Sequence, residues 1–244
     1  MTAQSSLLFG KRLQAFVKRG QEPLLQTRGK SKGLLLARLD REFAKRMFDV
    51  TFSLLVLALF SPVYLLLGLL IALSSPGPIF YIQERVGKNY KTFHCIKFRT
   101  MVVNADEILS ELIATSPGLR QEFEDNFKLK QDPRITKIGQ FLRLTSLDEF
   151  PQFWNVLKGD MSVVGPRPLV VEELPRYGRH IDKVLTIKPG ITGLWQVSGR
   201  NDIPYNRRVQ IDLYYANFHN VWLDLWVILK TIVVVIVPKN NGAY

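Results

Sequence analysis

The chemistry-bearing residues of this chain are concentrated between Leu142 and Pro168, where Arg143 and Arg167 bracket the adjacent carboxylates Asp148 and Glu149. A carboxylate can attack phosphorus only where the substrate's own negative charge is neutralised close by, and the forked guanidinium of arginine is well shaped to grip a phosphate. The stretch therefore suits chemistry on a phosphate ester. Gly165-Pro166-Arg167-Pro168 adds a rigid loop whose prolines fix the direction of the arginine between them.

A helix is expected to carry the two carboxylates, and its start has two phasings. Ser146-Leu147-Asp148-Glu149 fits a capping box with Ser146 as the cap, but Pro151 then falls at the fifth helical position, where its missing N–H matters. With Asp148 as the cap, Pro151 falls in the first turn, where no donor is needed, and this second phasing is preferred. Either one puts both carboxylates at the positive end of a helix, which lowers their pKa and keeps them ionised. Capping alone would also account for an Asp and a Glu at a helix start. The surroundings ask for more than a cap. Phe150, Phe153, Trp154 and Leu157 give the helix an apolar face, Lys158-Gly159-Asp160 closes it, and Val163-Val164 leads straight into the Arg167 loop.

The rest of the chain has to hold that site in place. With 244 residues, 47% of them hydrophobic, and a net charge of +12, the chain reads as one domain with an appended arm and an acidic partner. The single cysteine, Cys95, excludes an internal disulfide. Met1 to Arg46 carries eleven Lys and Arg against three acids, and Phe9, Leu13, Phe16 and Val17 recur at helical spacing among Lys11, Arg12, Lys18 and Arg19. That pattern suits an amphipathic helix lying on anionic lipid, with a solvated tail as the alternative. Gly29-Lys30-Ser31 imitates the end of a phosphate-binding P-loop, but Leu24 stands where the earlier glycine is required.

Val50 to Leu73 holds no charged residue and as one helix would reach about 36 Å, enough to cross a bilayer. Ser61-Pro62 interrupts it near the middle, because proline removes a backbone hydrogen bond and disfavours helix at the residue before it. A kinked spanning helix and a re-entrant hairpin compete. Lys45 and Arg46 precede the run and Arg85, Lys88, Lys91, Lys97 and Arg99 follow it, so the positive-inside tendency puts both ends in the cytoplasm and favours the hairpin. Beyond the Ser74 to Pro78 turn, Ile79 to Val86 and Lys91 to Arg99 read as strands joined across Gly87-Lys88-Asn89, and residues 104 to 127 read as helical with a solvated acidic face. Val221 to Val237 is a second apolar stretch, interrupted by Asp224 and Lys230, that fits either an interfacial helix or a buried amphipathic one. His94, His180 and His219 offer no zinc spacing with Cys95.

Lys45-Arg46 with Phe48-Asp49, the Ser61-Pro62 break, Lys97-Phe98-Arg99-Thr100-Met101, Thr145 to Glu149, Gly165 to Pro168 and Pro189 to Gly193 occur together and in order. From about residue 45 to 244 the chain resembles the bacterial monotopic phosphoglycosyl transferases, which start glycan assembly on undecaprenyl phosphate. The resemblance implies a mixed α/β, membrane-associated fold: an arm over 1–44, then a catalytic domain over 45–244 with a re-entrant helix at 47–74, a small sheet and interfacial helices. It implies that Asp148 attacks the sugar-bearing phosphorus of a UDP-sugar, expels UMP and passes the phosphosugar to undecaprenyl phosphate. Magnesium would be held at Asp148 and Glu149, with Glu149 a ligand or an acid-base assistant. Arg143, Lys97 and Arg99 would bind phosphate, Pro166-Arg167-Pro168 would contact the nucleotide, and Ser61-Pro62 would break the re-entrant helix. The implied setting is the cytoplasmic face of the bacterial inner membrane, with anionic lipid beside it and a possible homodimer. Lys188 departs from the arginine many members have before Pro189-Gly190, keeping charge without bidentate grip. The Lys188 to Asn201 run and Gly242-Ala243-Tyr244 look more like the hexose-1-phosphate branch, with galactose or glucose as the sugar. A non-catalytic basic membrane scaffold is the competing class. A nucleic-acid binder is not expected, since the basic residues bracket apolar segments instead of lining one soluble face.

Overall fold

The computed structural model describes residues 31–126, 129–199 and 203–236. The Phe9 to Val17 repeat and Gly242-Ala243-Tyr244 lie outside the described residues. Helix α1 runs Ser31–Leu59 and α2 runs Ser61–Ser74, with Phe60 between them. Pro62 sits in the first turn of α2, where it has no N–H to continue the ladder of α1, and the Ser61 hydroxyl donates to the Ala58 carbonyl at 2.9 Å. The helices Glu42–Leu59 and Ser61–Ser74 bend by 63° there. No single helix among the described residues is long and apolar enough to cross a membrane; this bent pair is compatible with a broken span or a re-entrant loop.

One face of α2 is inside: Leu67 and Ile71 pack with Phe98 and Leu142. The outer face is not covered: Leu65 and Leu73 on α2, and Leu59 at the end of α1, are each about three-quarters exposed, at 77%, 74% and 75%. Three charged side chains fasten α1 to the rest of the domain. The Lys45 Nζ reaches Asp224 at 2.6 Å and the Val164 carbonyl at 3.2 Å. Arg46 donates to the Val156 and Leu157 carbonyls at 2.5 and 2.8 Å, and Asp49 accepts from the Ser162 hydroxyl and the Val163 N–H, both at 3.0 Å. The charges at the head of the apolar run thus act as an internal clamp.

Strands β1, Phe80–Val86, and β2, Thr92–Phe98, form the expected antiparallel hairpin. The segment expected to be helical over 104–127 is two helices, α3 (Ala105–Thr115) and α4 (Pro117–Asn126), because Pro117 cannot donate into the preceding turn. Helix α5 (Lys137–Thr145) is capped by Thr136, whose hydroxyl accepts from the Gly139 N–H at 3.0 Å. Helix α6 is Gln152–Lys158, β3 is Ser162–Val164, and the short α7 (Leu174–Tyr177) and α8 (Ile181–Val184) precede β4, Gly190–Thr192. Strand β4 pairs in parallel with β3, so the small sheet is two separate two-stranded ones.

Helices α9 (Tyr205–Phe218) and α10 (Val221–Ile236) close the domain. The polar break in α10 points inward: Asp224 is buried and accepts from Tyr215 as well as Lys45. Val227 and Ile228 are buried beside it, while Trp222, Leu229 and Ile236 are exposed. Helix α10 therefore has a core face, as the buried amphipathic reading expects, and an outer apolar face.

Candidate active site

Asp148 and Glu149 lie in a single 3-10 turn, Leu147–Glu149, and not at the start of a longer helix. Neither phasing drawn from the sequence holds. Ser146 takes a left-handed conformation (φ 58°) and ends α5, its N–H meeting the Leu142 and Arg143 carbonyls, and Pro151 directly precedes α6. The expected lowering of both carboxylates by a helix terminus is corrected for Asp148. Burial pushes its pKa up from 3.8 to about 6, with Glu149 adding to the rise and Lys97 and Arg143 opposing it.

The cations around the pair come from different elements. Lys97, near the end of β2, donates to Glu149 at 2.6 Å. Its strand is held from behind by Asn155, fully buried on α6, which accepts from the Ile96 N–H at 3.0 Å and donates to the His94 carbonyl at 2.7 Å. Arg143, on the last turn of α5, donates through Nε to the Thr100 hydroxyl at 3.0 Å. Gly139 lets α5 approach that segment, since a Cβ there would lie 1.9 Å from the Thr100 carbonyl oxygen. Behind Arg143, Arg134 grips Asp132 with a fork at 2.8 and 2.6 Å. Burial works to raise the Asp132 carboxyl, but the Arg134 hydrogen bonds leave it below its usual value.

The turn also touches the apolar helices. The Tyr64 hydroxyl of α2 donates to the Phe150 carbonyl at 2.7 Å, and the Phe60 ring meets the Phe150 ring edge-on at 5.6 Å. The carboxylates are thus tied to the break at Ser61-Pro62.

The structure gathers Asp148, Glu149, Lys97 and Arg143. Arg99 it places elsewhere: buried, its guanidinium donates to the Pro76 and Ser75 carbonyls at 2.7 Å each and to the Ser75 hydroxyl at 3.1 Å. It fastens the exit of α2 instead of facing the carboxylate pair, and Gly77, at φ +117°, makes room for it. Pro166 and Pro168 frame their loop through carbonyls that accept from Gly190 N–H at 2.8 Å and Arg85 at 3.2 Å.

Arg167 lines an adjoining cavity of about 380 Å³ with Gln83, Arg85, Trp195, Tyr205 and Arg208. Residues paired across an antiparallel hairpin share a face, so Arg85 with Phe93, Gln83 with Cys95 and Tyr81 with Lys97 form one strip that runs from this cavity to the carboxylate turn. Burial raises the Cys95 thiol against the pull of Lys97 and Arg85. Arg167 is the cavity residue the sequence singled out; the alternation of Tyr81, Gln83 and Arg85 along β1 is the signal that could have added Gln83 and Arg85, and Trp195, Tyr205 and Arg208 carry no such signal.

The two carboxylates are a sufficient protein donor set for magnesium, which takes one or two carboxylates together with substrate phosphates. No group of three or more His, Cys, Asp and Glu able to hold a metal is present among the described residues.

Residues 40–238 match the sequence model of the family described as bacterial sugar transferase. The chain is 49% identical over 209 residues to an undecaprenyl-phosphate galactose phosphotransferase of Salmonella typhimurium, an alignment covering 86% of this chain and 43% of the relative. It is 44% identical over 198 residues to the exopolysaccharide production protein ExoY of Rhizobium meliloti, covering 81% and 88%. It is 39% identical over 197 residues to a UDP-glucose:undecaprenyl-phosphate glucose-1-phosphate transferase of Escherichia coli, covering 77% and 39%. The chain thus spans less than half the length of the first and third of these relatives.

Proposed function

We propose, for a chain that belongs to the bacterial sugar transferase family, that it transfers a hexose-1-phosphate from a UDP-sugar to undecaprenyl phosphate at the cytoplasmic face of the bacterial inner membrane. The observation that carries this reading is the Asp148-Glu149 turn, set against Lys97 and Arg143 and tied by Tyr64 to the bend of an apolar helix pair. On this reading Asp148 is the nucleophile, Lys97 and Arg143 neutralise phosphate, and the exposed apolar face of α1 and α2 meets lipid. A polyprenyl phosphate carries its reacting group at the headgroup level, where a re-entrant α1–α2 pair would hold the site.

Ionised at neutral pH, the Asp148 carboxylate attacks the sugar-bearing phosphorus. A new P–O bond forms, the bond from that phosphorus to the bridging oxygen breaks, and UMP leaves with the bond's electron pair. A phosphate oxygen of undecaprenyl phosphate then attacks the same phosphorus, the acyl phosphate bond breaks, and the Asp148 carboxylate is regenerated. Arg143 lies where it can balance charge on the phosphorus-bound oxygens, and Lys97 orients Glu149 and lowers the pKa of Asp148. Asp148 and Glu149 would hold magnesium, which when bound neutralises donor phosphate charge. The names of the relatives, one a galactose phosphotransferase and one a glucose-1-phosphate transferase, support galactose or glucose as the sugar.

The test is UMP release from a panel of UDP-sugars by detergent-solubilised protein with magnesium and undecaprenyl phosphate, beside Asp148→Asn. UMP from one donor, absent with the variant, is the expected result. Silence across the panel from protein that still binds vesicles of anionic lipid would replace the transferase with a membrane scaffold.

A further inference from the structure

Tyr64 is the polar exception on α2. From Val63 to Ala72 that helix otherwise carries aliphatic side chains and one glycine. A tyrosine hydroxyl in such surroundings needs a partner, and this one finds it on the carboxylate turn, donating to the Phe150 carbonyl at 2.7 Å. Phe150 is where that turn ends. Its N–H donates to the Leu147 carbonyl at 3.2 Å, closing the turn that holds Asp148 and Glu149, and its carbonyl also accepts from the Phe153 N–H at 3.1 Å, at the entry to α6.

The Tyr64 ring bridges two segments of the site. Its centre lies 5.7 Å from that of Phe98 and 5.9 Å from that of Phe150. Phe98 directly follows Lys97 and Phe150 directly follows Glu149, so the ring connects the backbones that carry the two members of the 2.6 Å ion pair. Neither neighbour can yield easily. Phe98 is 2% exposed and stacks also on Phe80 at 5.5 Å, and Phe150 meets Phe153 edge-on at 6.0 Å. The pair cannot set its own spacing, because the ammonium of a lysine rides on a flexible four-carbon stem.

We infer that Tyr64 is a positioning residue of the candidate site. Packed against the residues that follow Lys97 and Glu149, and hydrogen-bonded to the second of them, it sets the spacing of that pair and, through the shared turn, the direction in which Asp148 is presented. This rests on the reading of Asp148 as the nucleophile of a transferase. Tyr64 acts through Phe98 and Phe150, so its loss should disturb the reacting geometry and leave binding of the donor intact. Attack on phosphorus is sensitive to such displacements, a misplacement of about 1 Å costing as much as 100-fold in rate.

The experiment measures UMP release by detergent-solubilised parent, Tyr64→Phe and Tyr64→Leu, with kcat, donor KM and melting temperature for each. Tyr64→Phe keeps the ring and removes the hydroxyl, and should lower kcat about 3- to 10-fold, the value of one hydrogen bond, with the donor KM unchanged. Tyr64→Leu removes the ring as well and should lower kcat further. The Tyr64→Phe change is then combined with Lys97→Met and the melting temperatures compared. Coupled sites give a double variant that is less destabilised than the two single losses together, a reading that needs no turnover. A parent-like kcat in both Tyr64 variants overturns the positioning role and leaves the transferase standing. Losses of melting temperature that add across the two sites also overturn it, as does a fall in kcat that only tracks the loss of folded protein. A raised donor KM with kcat unchanged overturns it too, by giving Tyr64 a part in binding. A parent that releases no UMP from any donor overturns the transferase, and the positioning role with it.

Discussion

Asp148→Asn should make the protein more stable while it removes turnover. Raising a carboxyl from 3.8 to about 6 means that ionising it is less favourable in the folded chain than in the unfolded one. Each unit is worth about 1.36 kcal/mol, so the rise corresponds to an upper value of about 3 kcal/mol. The Asp148 carboxyl is half-buried and water screens part of that, leaving roughly 1–2 kcal/mol. Asparagine matches the shape of the protonated acid and never ionises. In a chain of this size the gain should lift the melting temperature by about 2–8 °C. The sign with pH follows from linkage. A raised acid contributes stability that is complete below its unfolded pKa near 4 and is lost as pH rises through about 6. Parent and variant should therefore melt together at pH 4, separate between pH 4 and 6, and keep a constant gap above pH 7. Tryptophan fluorescence during thermal unfolding in detergent measures this, and UMP release measures the accompanying loss, at least about a thousandfold for a removed nucleophile. A variant that melts at or below the parent at pH 7.5, or a gap indifferent to pH, would refute the account of Asp148 as a destabilised carboxylate held for reaction.

Lys97→Met removes the largest influence lowering Asp148, so the acid limb of the pH–rate profile should move to higher pH; an unmoved limb with reduced rate would mean that Lys97 acts elsewhere. Gly139→Ala drives a Cβ to 1.9 Å from the Thr100 carbonyl oxygen, and the shift of α5 should break the Arg143–Thr100 bond. Turnover should fall further than lipid binding, measured on vesicles beside the assay. Arg46→Ala leaves the Val156 and Leu157 carbonyls without their charged donor, at a cost of about 2–3 kcal/mol, which a lower melting temperature would record. Acid should slow turnover as pH falls through about 6, where Asp148 takes up its proton, with a slope of one in log kcat/KM against pH.

What could be read in the sequence was local and periodic. The Phe80–Val86 and Thr92–Phe98 hairpin follows from β-branched runs around a turn, and the break after Leu59 follows from the covalent chemistry of Pro62. The carboxylate turn was legible in its residues but not in its geometry. Ser146 can cap the N-terminus of a helix or end one in a left-handed conformation, and the choice was made by α5 arriving from the other side, which no local window contains. The error reversed the sign of an electrostatic argument, since a residue placed in a packed turn loses water where one at an exposed helix terminus gains a dipole. Arg99 illustrates the same limit. Its spacing beside Lys97 matches a phosphate grip, and two residues apart they would share a face of a continuing strand, but β2 ends at Phe98 and the Arg99 guanidinium is drawn to the Ser75 and Pro76 carbonyls while Lys97 meets Glu149.

Charged residues around the apolar helices therefore divide by partner, not by type. Lys45, Arg46 and Arg99 are directed inward onto Asp224 and backbone carbonyls, where they fix the depth and angle at which α1 and α2 leave the domain. Lys97 and Arg143 face the carboxylate turn, and Arg167 and Arg208 face the cavity. A net charge of +12 predicted an acidic partner, and within the described domain these cations divide between those that hold the apolar helices and those that line the candidate site. The split has a mechanical consequence. Because Tyr64 and Phe60 touch Phe150, one residue beyond Glu149, any change in how the apolar pair is seated reaches the carboxylates directly. The bend at Ser61-Pro62 and the carboxylate turn thus share Phe150 as a common contact.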